Sequence, residues 1–313
     1  MTTASTRPAR ARRAALAFAT AAWIAALPAS PAHAAQNLGI GGQSDKPIQV
    51  FADEGIEWNQ NTRQYIARVN AKAIQGDTTV YGDTLVAYYE EVAGGNTEVY
   101  RIDAIGNVRI VSPNETAYGD KGVYDMRKGI LVMTGGALRL VTQTDVVTAR
   151  DSLEYYEETG MAVARGNAVA RPVPAQRKDA KTDRTVRADV LTAHFRDEGT
   201  QGAPAAKGQK KKKKGQQGGG SNIDRMDAYG NVVVTRPGEV ALGRRGVYFP
   251  DRELAHLWGQ VRITRQDNQL NGEYAEVNFG TGISRIVASP SAPVRALIEQ
   301  EKKPQNLGPA TGR

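Results

Sequence analysis

The sequence predicts an all-β fold built from short antiparallel strands, and three observations lead to this prediction. Two short patterns recur along the chain at a period near 30 residues, which is typical of repeat architectures. The segments between them are short, rich in Val, Ile, Thr and Tyr, and alternate apolar with polar residues. No segment before the C-terminal tail has helical periodicity. At two strands per repeat, roughly 14 to 16 strands are expected.

The first pattern is a Gly-Asn pair that leads into a strand. It occurs as Gly106-Asn107, Gly166-Asn167 and Gly230-Asn231, with weaker copies at Gly135-Gly136 and Gly259-Gln260. Measured on the second residue, the spacing is 29 from 107 to 136, 31 from 136 to 167, and 29 from 231 to 260. Because Gly and Asn tolerate a positive φ, each pair predicts a tight hairpin turn.

The second pattern is a small residue followed by Asp at the opening of a strand that ends in aromatic residues. Its copies are Ala52-Asp53, Gly82-Asp83, Gly119-Asp120 and Ala188-Asp189, with decayed copies at Gly243-Arg244 and Gly272-Glu273. Together the two patterns describe a stack of antiparallel strands. Such a stack has an open strand edge at each end, where a neighbouring chain could add a strand by backbone pairing.

Both ends of the chain differ in composition from the strand repeats. Residues 1–34 contain four arginines and no acid, then an apolar run, and end in Ala32-His33-Ala34. This order predicts a secretory signal peptide cleaved after Ala34, and the run is shorter than the roughly 20 residues that a membrane anchor needs. Residues 35–46 are a predicted linker. Residues 289–313 are a Pro-rich tail in which Val294–Lys302 could form a turn or two of helix.

The basic charge of the chain is local. Lys and Arg number 41 against 33 Asp and Glu, for a net charge of +8. Outside the signal peptide and the five lysines of Lys210–Lys214, 32 basic residues face 33 acidic ones. The lysines lie in a Gly-, Gln- and Lys-rich insertion, residues 198–222, which is expected to be a disordered loop. A loop without aromatics argues against nucleic-acid binding, and contact with anionic lipid phosphates is the alternative role.

Signals for catalysis are weak. The chain has no Cys, so thiol chemistry and disulfides are excluded. His194 occupies a repeat position that is otherwise aromatic, so packing is expected rather than metal ligation. The pairs Glu90-Glu91 and Glu157-Glu158 recur at one repeat position, which indicates strand ends rather than the paired acids of a glycosidase. We therefore expect no enzyme and no cofactor. The alternatives are a polysaccharide-binding or structural β-solenoid protein and, more remotely, a β-helix lyase.

These patterns, after an export signal and without cysteine, resemble the LptA/OstA family of periplasmic lipopolysaccharide-transport proteins. The resemblance covers Pro47 to Ile286 and is best over Ile102 to Asp125, whereas the Lys-rich insertion and the Pro-rich tail depart from it. It implies an open β-jellyroll, a sandwich of short strands, over residues 47–288. It also implies a periplasmic bridge between an LptC-like inner-membrane partner and an LptD-like outer-membrane translocon. Copies would associate head to tail.

The resemblance further implies that a hydrophobic groove shelters the acyl chains of lipopolysaccharide. We assign the lining of that groove to the apolar residues that alternate with period two along the strands. The competing interpretation is that these residues fill a dry core, since sandwich interiors have the same pattern. The predicted lining consists of Val50, Ile56, Trp58, Val86, Tyr88, Val108, Ile110, Val123, Leu153 and Tyr155.

Overall fold

The strands cover most of the computed structural model, which describes residues 47–174, 183–196, 223–288 and 293–298. The predicted signal peptide, the linker, the Lys-rich insertion and most of the tail lie outside the described residues. The described part contains 18 strands: β1 Gln49–Phe51, β2 Gly55–Asn59, β3 Gln64–Gln75, β4 Thr78–Glu91, β5 Thr97–Ser112, β6 Glu115–Asp125, β7 Ile130–Thr134, β8 Arg139–Thr142, β9 Asp145–Thr148, β10 Ser152–Tyr156, β11 Met161–Pro172, β12 Thr185–Phe195, β13 Ile223–Arg236, β14 Glu239–Phe249, β15 Leu254–Arg265, β16 Asn268–Asn278, β17 Ile283–Val287 and β18 Arg295–Leu297. Within the same residues, no helix has the length and apolar character needed to cross a membrane.

All strand pairings are antiparallel, so the predicted all-β class is confirmed. Four pairs of short strands each share one edge of a long strand: β1 and β2 on β3, β7 and β8 on β6, β9 and β10 on β11, and β17 and β18 on β16. If each pair is counted as one bent strand, the described chain has 14 levels, within the expected range. In the middle of the stack, β6, β7, β10, β11, β9 and β8 form a closed ring of pairings.

Nearly every long strand bends once and contributes to two half-sheets. Sheet I runs from β2 through segments such as 84–88, 101–105 and 121–125 to β17. Sheet II runs from β1 through segments such as 78–82, 108–112 and 115–119 to β18. A register shift separates the two halves in each long pairing, for example between Ile105 and Val108. The bends line up as a corner along the stack, and the hairpin ends of the two sheets form its open mouth.

The Gly-Asn pairs lie at this corner, so the predicted hairpin turns at these pairs were wrong. Gly106 (φ 74°) and Asn107 (φ 47°) are inside β5, where the strand changes sheet. The positive φ was expected correctly, but it forms a bulge that re-aims the strand. The connection between β3 and β4, by contrast, runs through Gly76-Asp77.

The two sequence patterns contact each other across the corner. The Asn107 Nδ2 group donates to Asp83 Oδ2 at 2.9 Å, and the Asn231 amide makes the same contact with Asp189 at 2.9 Å. In a variant of this arrangement, the Gly136 backbone N–H donates to Asp120 Oδ2 at 2.7 Å. At the corner the strands leave the regular hydrogen-bond ladder. The aspartate carboxylate accepts a hydrogen bond from the strand that bends there. The repeat period is therefore the spacing of every second corner, and not of the hairpins.

The corner also decides which residues face inward. In β4 the inward residues are Val80 before the corner and Leu85 and Ala87 after it, because Asp83 adds one residue and exchanges the two faces. In β5 two residues with positive φ take up the bend, so Ala104 and Val108 both stay inward. The inward side chains from both sheets form one continuous apolar cluster along the stack.

The C-terminal segment also differs from the predicted structure. The segment Arg295–Leu297 is strand β18, paired with β16, and not part of a helix. It pairs with the part of the β16 edge that β17 does not cover. The tail consequently extends sheet II by one strand.

Candidate functional site

The described residues line open cavities between the two sheets, and three of them contain most of the inward-facing apolar side chains named below. The largest has a volume of about 480 Å³ and is lined by residues from both sheets, among them Leu153 and Tyr155 from sheet I and Leu140 and Val147 from sheet II. It continues into a cavity of about 70 Å³ towards Phe279, and the two share Asp145, Ala170, Arg184, Leu191 and Met226. A third, of about 360 Å³, lies at the N-terminal end of the stack and includes Val50, Ile56, Tyr65, Ala67, Leu85 and Ile102. These cavities leave an apolar groove between the two sheets, next to the packed core cluster.

The groove is amphipathic in cross-section. Its floor, at the corner, is made of buried small and β-branched residues such as Val108, Ala168 and Val232. On the sheet I side of the mouth, aromatic rings pair, as Tyr155 does with Phe195 at 6.2 Å between ring centroids. On the sheet II side the corresponding row is polar and contains Glu115, Thr142, Asp145, Arg184 and Arg236. An apolar chain fits the floor, and a polar headgroup fits the mouth.

Burial changes the ionisation of groups that line the largest cavity. It raises the pKa of Glu115 to about 7, because the charged carboxylate is poorly solvated there. It likewise raises the pKa of Tyr155 to about 12. Near neutral pH, therefore, the Glu115 side of the mouth carries less negative charge than the sequence implies. No cluster of His, Asp and Glu suited to a metal ion occurs among the described residues.

Seven of the ten predicted lining residues lie on the inner faces. Val50, Ile56, Leu153 and Tyr155 line the cavities directly. Trp58 is on the inner face of β2, where its Nε1 donates to the Tyr89 hydroxyl at 2.8 Å. Val108 and Ile110 are each only 1% exposed, at and next to the corner, where they pack in the core cluster.

The other three predicted residues lie on the outer face of sheet I. Val86 and Val123 are the neighbours of Asp103 on either side, and Tyr88 lies under the Arg101 guanidinium at 5.3 Å. They were assigned to the inside because the alternation was assumed to continue unchanged through β4 and β6. At the corner, however, the inner and outer faces of these strands exchange. These three residues line none of the three cavities described above.

Several lining residues were missed because nothing in their sequence distinguishes them. Ala162, Ala170 and Ala193 face the cavities. Alanine occurs on both inner and outer faces of strands, so the presence of these alanines does not predict an inward position. Their small side chains are what leave the space open. The inward position of Met226 and Phe195 could have been found only with the register of β12 and β13.

His194 is placed outside the groove, on sheet I. Its Nε2 lies 3.0 Å from Asp227 Oδ2 and 3.2 Å from an Arg225 guanidinium nitrogen. Asp227 is 3% exposed. The imidazole thus packs within a polar cluster, in line with its expected structural role.

Comparison with known proteins finds similarity over part of the chain. Residues 49–161 match the family described as LptA/(LptD N-terminal domain) LPS transport protein. An uncharacterized protein of Rhizobium meliloti (strain 1021) is 29% identical over 139 residues, which are 42% of this chain and 74% of that protein. The crystal structure of LptH, the LptA homologous periplasmic component of the lipopolysaccharide transport device of Pseudomonas aeruginosa, aligns with 17% identity and a TM-score of 0.36. That alignment covers 50% of this chain and 96% of LptH.

The family match begins at β1 and ends at the first residue of β11, so it includes the lining of the third cavity except Ile48 and about half of the lining of the largest one. The resemblance inferred from the repeats is confirmed by this match. Over residues 49–161, the chain is therefore similar to the family of LptA and the LptD N-terminal domain.

Proposed function

We propose that this protein is a periplasmic carrier that shelters the acyl chains of lipopolysaccharide in the groove between its two sheets, without cofactor or catalysis. The observation that supports this most is the continuous apolar cavity with a polar mouth, built from both sheets. Exposing one methylene to water costs about 0.8 kcal/mol, so a chain of roughly a dozen carbons costs about 10 kcal/mol. A groove with similar linings at successive strands lowers that cost while the lipid moves.

The proposal includes bridging through the ends of the stack. In the part of the chain that the structure describes, both ends are free strand edges, β1 and β2 at one end and β17 and β18 at the other. Each end exposes apolar side chains, for example Trp58 at 55% and Ile283 at 66%. Pairing one end of a copy with the other end of the next would continue both sheets and the groove. LptC-like and LptD-like partners would bind these same edges.

Photo-crosslinking can test the lipid groove. Tyr155 and Tyr156 are adjacent on β10 but face opposite sides, and only Tyr155 lines the largest cavity. With p-benzoylphenylalanine at either position in cells that make lipopolysaccharide, we expect lipid adducts at 155 and few at 156. Equal adducts at both positions would contradict the groove assignment. Binding of sugar polymers without any adduct at 155 would favour the alternative of a polysaccharide-binding protein, for which exposed Tyr229 and Trp258 on the outer face are the supporting observation.

Growth of head-to-tail assemblies should depend on the free edges. Changing Ile283→Lys puts a charge on the exposed apolar edge of β17, which would disfavour pairing with another copy. We expect light scattering to show concentration-dependent growth for the wild-type protein and a monomer for the variant. Thr264→Lys, on β15 inside the stack, is the matched control and should still assemble. A wild-type protein that stays monomeric at high concentration would contradict the bridging model.

A further inference from the structure

Two arginines lie side by side at the mouth of the groove. Thr185, the first residue of β12, pairs with Thr235 on β13. The next residues towards the mouth are Arg184, just before β12, and Arg236, the last residue of β13. They therefore lie opposite each other. Both line the 70 Å³ cavity, and Arg184 also lines the 480 Å³ cavity. Like charges directly opposite each other are unfavourable unless an anion lies between them.

Both arginines reach across the groove to the other sheet. The Arg184 guanidinium carbon lies 4.8 Å from the centroid of the Tyr248 ring, and its Nη1 is 3.5 Å from the Tyr248 hydroxyl. The Arg236 guanidinium carbon lies 4.8 Å from the centroid of the Phe279 ring. Because the arginines extend from sheet II and the rings from sheet I, these contacts close the mouth over the narrower cavity.

Other cation–π pairs of this protein have a different geometry. Arg109 lies over Tyr81 at 4.1 Å and Arg139 over Tyr118 at 4.3 Å, and each joins residues opposite each other on neighbouring strands of sheet II. Those pairs lie on the outer face of sheet II, away from the groove. Stacking on the outside of a sheet therefore does not account for the contacts made by Arg184 and Arg236.

Among the acids that the structure describes, none forms an ion pair with either groove arginine. Among the described residues, no carboxylate oxygen lies within 4.0 Å of either guanidinium. The acids nearest in the lining are Asp145, on the side of the large cavity, and Glu239, which is opposite Arg236 but pairs with Arg265 at 3.4 Å. Along the mouth, Glu115 thus lies over the large cavity and Arg236 over the narrow one, while Asp145 and Arg184 lie where the two cavities meet.

We propose that Arg184 and Arg236 form a binding site for a phosphate group on the head of an amphiphile whose chain lies in the groove. The planar fork of a guanidinium matches phosphate oxygens with two hydrogen bonds, and one phosphate can accept from both arginines. Binding would draw the guanidinium groups away from Tyr248 and Phe279 and open the narrow section. Without phosphate, the stacked arginines keep that section closed. This inference rests on the proposed lipid groove and adds the class of headgroup it selects.

Competition for a neutral apolar probe, N-phenyl-1-naphthylamine, tests the site with the full chain. Dodecyl phosphate and dodecyl maltoside carry the same chain and differ in charge. We expect the wild-type protein to bind the phosphate about 10- to 100-fold more tightly, since a hydrogen bond to a charged group contributes that much. Inorganic phosphate alone should not displace the probe. A wild-type ratio near one would overturn the inference while leaving the groove intact, whereas probe displacement by neither amphiphile would contradict the proposed function itself.

Variants separate the site from a general effect of charge. The pair Arg184→Gln and Arg236→Gln should bring the ratio near one, chiefly through a loss of affinity for dodecyl phosphate. The matched control, Arg109→Gln with Arg139→Gln, removes two cation–π arginines from the outer face and should keep the wild-type ratio. Arg184→Lys with Arg236→Lys keeps the charge but loses the fork, so part of the preference should return. An equal loss of preference in the outer control would contradict a local site.

Discussion

Replacing Ala170 with Phe is expected to reduce binding of dodecyl amphiphiles at least tenfold. Ala170 lies on β11 where the 480 Å³ and 70 Å³ cavities meet, and it lines both. A phenyl ring at this junction occupies space that about three methylenes of a bound chain would fill. At about 0.8 kcal/mol for each methylene, the loss is about 2.4 kcal/mol, which corresponds to roughly 50-fold in affinity.

The neighbouring residue supplies the control. Val169 is on the same strand but faces outward, so Val169→Phe adds the same ring without entering the groove. Probe displacement measures binding in both variants, and thermal unfolding establishes that both are folded. An Ala170→Phe protein that is folded and binds with wild-type affinity would show that the lipid does not pass this junction.

Replacing Gly106 with Ala should lower the free energy of unfolding by about 2–4 kcal/mol. The residue has a φ of 74°, where an L-residue costs about 1–2 kcal/mol. An added Cβ would also overlap the Asp83 carboxylate, which approaches this position closely at the corner. The variant must therefore displace the aspartate that holds the bend between the two sheets. Chemical denaturation measures the change.

Two further variants separate backbone strain from the contact with Asp83. Gly95 has a similar φ of 79°, but no atom of the described residues lies within 4 Å of the Cβ that an alanine would add, so Gly95→Ala should show the backbone cost alone. In the Gly106→Ala, Asp83→Ala double variant the overlap is removed, and the added Ala should cost less than it does in the wild-type background. Equal destabilisation by Gly106→Ala and Gly95→Ala would show that the corner contact contributes nothing.

The repeats predicted much of the architecture because they record local backbone requirements. Gly-Asn pairs and Asp residues occur where a strand bends, and each period spans two levels of the stack. The location of the bend was misjudged, since a positive φ in Gly106-Asn107 serves a hairpin turn or a bulge equally well. The pairing of Asp83 with Asn107 identifies the bulge, and that contact joins residues 24 apart in sequence.

The groove was only partly predictable for a related reason. Alternation assigned Leu153 and Tyr155 to the inside, and they line the largest cavity. The same alternation, continued through the corners of β4 and β6, assigned Val86 and Val123 to the inside, although they lie on the outer face. One inserted residue exchanges the faces of everything that follows it, and sequence alone does not show where the insertion occurs.

By itself, the sequence determined the strand class, the repeat period, the family resemblance and the local origin of the net charge, because each depends on residues close together in the chain. Only the tertiary structure determines which face of each strand points into the groove. It also places Ala170 where two cavities meet. It alone brought Arg184 and Arg236 across the groove to Tyr248 and Phe279. These arrangements depend on pairing register and on the bend at the corner, which bring together residues that are as much as 64 positions apart.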